Sequence, residues 1–186
     1  KIYEINNTKN ICSLYGLINL AGIQHLRTNS FEKEISHLVE SLNVNCISPF
    51  ILIEALKNTI SKNAGCIINI GSIHSKLTKK NFLHYSTSKG AFNSLTKAIS
   101  IEYGKNIKVI GINPAAIETK MLIDGFESEE NLKELSDYHP TKKISSKDEI
   151  AQLILYLIEK STQFLNGSII DMSGGISHCL NDPENH

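Results

Sequence analysis

Four short apolar runs, each followed by glycine or small polar residues, set the frame of this chain: YGLINLAG (Tyr15 to Gly22), GCIINIGS (Gly65 to Ser72), IKVIGINP (Ile107 to Pro114) and GSIIDM (Gly167 to Met172). Runs this short and continuous suit strands buried on both faces, as in a parallel sheet. The stretches between them have helical spacing. Residues 31 to 62 place Cys46, Phe50, Ile53, Leu56 and Ile60 on one apolar face, and residues 85 to 103 are expected to bury Leu95, Ala98 and Ile99. Further helices are expected over 129–137 and 148–159, the second capped by Ser146 or Asp148. This alternation predicts an α/β fold of one domain over 1–186: a doubly wound parallel sheet in three α/β/α layers. Right-handed crossovers then bring the strands' C-terminal ends to one edge, where such sheets bind ligands.

Composition narrows the partners. Lys plus Arg and Asp plus Glu number 19 each, so no overall field draws the chain to nucleic acid or anionic lipid. There is no basic block, and a nucleic-acid partner is not expected. No apolar run is read as approaching the roughly 18 residues of a membrane span, which predicts a soluble protein without a membrane partner. The opening KIYEINNTKN lacks the apolar core of a secretory signal. Cys12, Cys46, Cys66 and Cys179 are scattered with no C-x-x-C spacing, so neither a metal site nor a disulfide framework is expected. A reducing cytoplasm is the compartment that fits.

The distinctive polar residues fall just after the strand ends. In LHYSTSKGAF (Leu83 to Phe92), Tyr85 and Lys89 stand four positions apart, sharing one helix face. An ammonium beside a phenol is expected to lower the tyrosine's pKa. A tyrosine so tuned exchanges protons with an alcohol or carbonyl oxygen. A hydroxyl from Ser72 would hydrogen-bond that same oxygen. Taken alone, Y-x-x-x-K is an ordinary solvated pattern, Ser72 a loop serine and Gly22 a turn. Their common placement at one sheet edge is what points to chemistry. Pro49 has no N–H, so it frees the carbonyl of Asn45 inside a helix or, alternatively, marks a helix start with Ser48 as cap. His74 and His84 are read as loop residues, and ESEENLKEL as an exposed helix or lid.

The ordered set resembles the short-chain dehydrogenase/reductase family over nearly all of Tyr15 to Gly175. NLAG (Asn19 to Gly22) is similar to the family's N-N-A-G segment, and LNVNCISPF places its active-site asparagine at Asn45. GCIINIGS ends in the serine, Ser72, and YSTSK supplies Tyr85 and Lys89. INPAAIETKM resembles P-G-x-x-x-T with Ala115 in place of glycine, and Ser173 stands where an aspartate is usual. The resemblance implies a Rossmann-like sheet and an NAD(P)-dependent oxidoreductase interconverting an alcohol and a carbonyl, with NAD or NADP left open. Asn45, Ser72, Tyr85 and Lys89 would be catalytic. Asn19, Ala21, Gly22, Tyr85, Lys89, Pro114, Ala115, Ile117 and Thr119 would bind the cofactor. A small alcohol or ketone substrate and a homodimer or homotetramer are also implied.

The family's Gly-rich phosphate turn, T-G-x-x-x-G-x-G, has no counterpart here, since Gly16 is the sole glycine before Gly22. Two βα units, about 60 to 70 residues, are therefore expected to be missing. The YGLINLAG strand becomes an apolar edge, and the chain reads as a C-terminal portion of a longer protein. The alternative function is a non-catalytic scaffold that associates through the helices around 42–62 and 85–103. A third is epimerisation or dehydration on the same fold.

Overall fold

The computed structural model describes residues 14–123, 125, 128–160 and 162–179. KIYEINNTKN and Cys12 fall outside them. Four parallel strands lie side by side in chain order: β1 (Gly16–Asn19), β2 (Cys66–Ile70), β3 (Lys108–Pro114) and β4 (Ile169–Met172). Register is continuous, with Asn19 beside Asn69, Asn69 beside Gly111 and Asn113 beside Asp171. All four strands therefore finish at the same edge.

Side chains alternate across the buried strands and build two cores. Ile68, Ile70, Ile110 and Ile112 pack on one face against Ile150, Ile154 and Leu157 of a helix at Lys147–Glu159. Ile67 and Val109 pack on the other against Ile53, Ile60 and Ile99. These come from helices over 31–62 and at Leu83–Tyr103, so the chain is a three-layer Rossmann-like α/β fold. Numbered in order, the helices are α1 (Phe31–Leu42), α2 (Ser48–Lys62), α3 (Leu83–Tyr103), α4 (Lys120–Ile123), α5 (Glu129–Tyr138) and α6 (Lys147–Glu159). Ser146, not Asp148, caps α6: its side chain accepts from the Glu149 N–H while the Glu149 carboxylate accepts from the Ser146 N–H.

Several expected contacts differ. Phe50 is exposed, and on α3 Ala98 is exposed while Leu95 is half-buried. What α3 buries instead is largely polar: Ser88, Lys89, Asn93, Thr96 and Ser100 beside Phe92 and Ile99. His84 lies on α3, not in a loop, and is fully covered near Glu34. The stretch Phe31–Lys62 is, by length and composition, long and apolar enough to cross a membrane, against expectation. Its length arises because α1 and α2 run on as one helix through a π-turn at Asn43–Ile47. Its Ile53 and Ile60 pack into the sheet, as in a core helix.

At the β1 edge, Tyr15, Ile18 and Leu20 are exposed. Ile18 and Leu20 border a cavity of about 350 Å³ formed with Val44, Pro49 and Leu52.

Candidate active site

The four residues of the expected centre converge at the C-terminal edge of β2. Ser72 follows the strand by two residues, and its hydroxyl accepts from the His74 N–H (3.2 Å) to start a single turn of 3-10 helix at Ile73–Ser75. Tyr85 and Lys89 stand on the first two turns of α3. The Ser72 hydroxyl faces the Tyr85 phenol closely enough to favour its ionised form. The Lys89 ammonium, nearly covered, donates to the carbonyl of Ile70 at the end of β2 (2.9 Å) and lies 5.8 Å from the centre of the Tyr85 ring.

This arrangement corrects one expectation. Burial pushes the Tyr85 phenol above its ordinary value, the Ser72 hydroxyl only partly opposing it. Burial also brings Lys89 down to about 8. The lysine is held by a backbone carbonyl and is itself poorly solvated, so it does not draw the phenol down in this arrangement. The phenol is held protonated at neutral pH, the form that donates a proton.

Asn45 sits in the π-turn, fully buried. Its side chain accepts from the Ile23 N–H (2.8 Å) and donates to the Ile23 carbonyl (2.9 Å) and the Ser88 hydroxyl (2.9 Å). It therefore fastens the loop after β1 to α3. The π-turn is how the helix accommodates Pro49. Ser48 is not an N-cap: it has helical backbone angles, and both its N–H and its hydroxyl reach back to the Asn43 carbonyl.

The residues expected to hold a cofactor divide. Gly22 opens onto the centre, since a Cβ there would lie 3.3 Å from Asn45 Oδ1 and 3.5 Å from Lys89 Nζ. Ala21 is exposed on the β1 side. Asn19 donates to Asn69 Oδ1 (2.8 Å), while Asn69 donates to Thr96 (3.0 Å), which ties β1 to β2 and α3. Pro114 ends β3, and the Ala115 N–H pairs with the Met172 carbonyl (2.9 Å). Ile117 bridges Ser145 through the Glu118 N–H and the Ala116 carbonyl, a pairing that does not use the Ile117 N–H. Thr119 caps α4, its hydroxyl accepting from the Leu122 N–H (3.3 Å). Gly22 thus leaves space beside Asn45 and Lys89, and the Ile117 N–H takes no part in the bridge to Ser145. Among the described residues no Gly-rich turn is present of the kind that cradles a dinucleotide's phosphates.

Reading the sequence missed the residues beneath Ser72: Ser75, Asn93, Asn113, Lys76 and Asp171 form one hydrogen-bonded group. The one signal available was three polar residues, Asn113, Asp171 and Ser72, at adjacent strand ends.

Known proteins agree with this picture. The family model described as Enoyl-(Acyl carrier protein) reductase matches residues 6–177. A 2-dehydro-3-deoxy-D-gluconate 5-dehydrogenase of Formosa agariphila is 31% identical over 175 residues, 91% of this chain and 65% of that protein. The structure of a gluconate 5-dehydrogenase from Burkholderia cenocepacia with NADP and tartrate superposes with TM-score 0.84 at 24% identity, over 96% of this chain and 70% of that one. That of 3-ketoacyl-(acyl-carrier-protein) reductase from Brucella melitensis with NADH does so with TM-score 0.78 at 26% identity, over 89% and 68%. The chain belongs to the short-chain dehydrogenase/reductase family of oxidoreductases. It spans 65% of the length of the Formosa relative it matches.

Proposed function

We propose that the protein is an NAD(P)-dependent oxidoreductase that interconverts a secondary alcohol and a carbonyl. The observation that carries this reading is the convergence of the Ser72 hydroxyl, the Tyr85 phenol and the Lys89 ammonium at one strand end. In the reductive direction Tyr85, protonated at neutral pH, gives its proton to the carbonyl oxygen of the substrate. Ser72 hydrogen-bonds that oxygen as charge develops on it. Lys89 lies behind the phenol and hydrogen-bonds the cofactor ribose. Asn45 keeps the loop after β1 at the right height and anchors the proton path from Lys89. Gly22, Pro114, Ala115, Ile117 and Thr119 would line the cofactor's nicotinamide end, with Asn19 and Ala21 beside them. The nicotinamide supplies or accepts the hydride.

The relatives named for gluconate derivatives support a small hydroxylated acid as the first substrate to try. Either NAD or NADP remains compatible, since the solved relatives are described with NADP in one case and NADH in another. A cytoplasmic homodimer or homotetramer is the form we propose. The test is titration of the full-length protein with NADH and NADPH, followed by fluorescence. Binding of either is expected, and binding of neither overturns the reading.

The exposed apolar edge at Ile18 and Leu20 favours a second reading, an association scaffold without catalysis. Light scattering on the same sample separates the two: a stable oligomer that binds no cofactor is the scaffold.

A further inference from the structure

We propose that Asn113 and Ser75 are positioning residues that set the Ser72 hydroxyl, with the Lys76–Asp171 ion pair holding both in place. The inference rests on the role given to Ser72 above.

The Ser72 backbone is gripped from both sides. Its N–H donates to Asn113 Oδ1 (3.1 Å), and its carbonyl accepts from the Ser75 hydroxyl (2.6 Å). The two grips are joined, because Asn113 Nδ2 donates to Ser75 Oγ (3.1 Å). Asn93 of α3 donates to the same oxygen (2.6 Å). Ser75 thus gives its one proton and fills both lone pairs, which fixes its rotamer. The remaining amide proton of Asn113 goes to Asp171 Oδ1 on β4 (3.2 Å). Lys76, next in the chain to Ser75, holds both oxygens of Asp171 (3.0 and 2.8 Å). The circuit therefore returns to the loop it started from, having crossed β3 and β4, with α3 attached at Ser75.

Two further facts set this group apart from ordinary packing. Asn113 is fully buried among the isoleucines of β3, where an apolar residue would fill the space without hydrogen bonds to satisfy. At Gly71 a Cβ would fall 2.2 Å from Asn113 Oδ1 and 2.9 Å from Asn93 Oδ1. The missing side chain at Gly71 is what lets both amides come up beneath Ser72. A displacement of about 1 Å in a reacting group costs up to ~100-fold in rate, so such a mount has a kinetic consequence.

The test is a double-mutant cycle on the full-length protein, read as kcat for carbonyl reduction. Asn113→Ala should lower kcat about tenfold while leaving the cofactor KM unchanged. Placed on Ser72→Ala, the same substitution should cost less than about twofold, because the hydroxyl it positions is gone. Ser75→Ala removes a single hydroxyl and carries the same cycle should Asn113→Ala fail to fold. Equal losses with and without Ser72 overturn the positioning role alone. Unchanged turnover in Ser72→Ala by itself overturns the role of Ser72, and this inference with it.

Discussion

Lys89 and Asn45 are held chiefly by backbone: the ammonium by the Ile70 carbonyl, the amide by both polar groups of Ile23. Ser72, a few ångströms of chain away, is held largely by side chains drawn from β3, α3 and its own loop. Backbone partners persist whatever residues surround them, so one half of the site depends on the fold alone. The other half depends on particular residues and can be dismantled one group at a time. The site thus joins a part the architecture guarantees to a part this particular chain has to specify.

The sharpest way to break the comparison is at the group both halves serve. Tyr85→Phe removes the phenolic proton and keeps the ring. It should lower kcat about 1,000-fold, within the range for loss of a general acid, with cofactor affinity by fluorescence titration little changed. Full turnover in that variant would remove Tyr85 from the reaction. Next comes Asn45→Ala, which strands the Ile23 N–H and carbonyl in a partly buried place. A loss of about 2 kcal/mol is expected in urea unfolding, larger than for Ser75→Ala, since the backbone-held half is the one that carries stability. A loss no greater than that of Ser75→Ala would erase the distinction.

Lys89 gives a pH test of the same half. Its folded value, about 8, lies below the ordinary 10.5 because the charge is buried. Between those two values the unfolded chain binds the extra proton, so stability should rise with pH across that window. Below it, both states carry the charge and the full burial cost remains. The excess stability of Lys89→Met over the parent should therefore shrink from pH 8 to pH 10.5 in denaturant titrations. A constant difference would mean the ammonium is not desolvated.

What could be read from the sequence divides along the same line. The nearness of Ser72, Tyr85 and Lys89 was legible because strand alternation sends them to one edge, whereas Asn45 was named only by the family pattern and the proline four residues on. Their backbone partners follow from the fold. Asn113 and Asp171 stand in the strand runs IKVIGINP and GSIIDM, and no motif singles out Lys76. Their contacts span 95 positions between Lys76 and Asp171, and no local periodicity signals a pairing that distant. The tuning of Tyr85 was misread for a related reason: spacing shows that Lys89 is near, but not that burial governs the phenol. Ala98 was misplaced because α3 turns a polar stripe inward, where counting apolar residues finds nothing.

The smallest expected effect belongs to Gly22, where the backbone-held half meets the loop after β1. A methyl group there would touch Lys89 Nζ at an ordinary 3.5 Å but sit 3.3 Å from Asn45 Oδ1, close enough that Asn45 must yield by a few tenths of an ångström. The Asn45 side chain is anchored on the Ile23 backbone, so the shift is resisted but feasible. Gly22→Ala should cost about 1 kcal/mol in urea unfolding, the low end for over-packing, and weaken NAD(P)H binding in the same titration used for the parent. The Ser72 side should not feel it: adding Ser75→Ala ought to give summed stability losses, as for sites with no shared partner. Non-additive losses would show that the two halves are one mechanical unit, and the contrast between them would fail there.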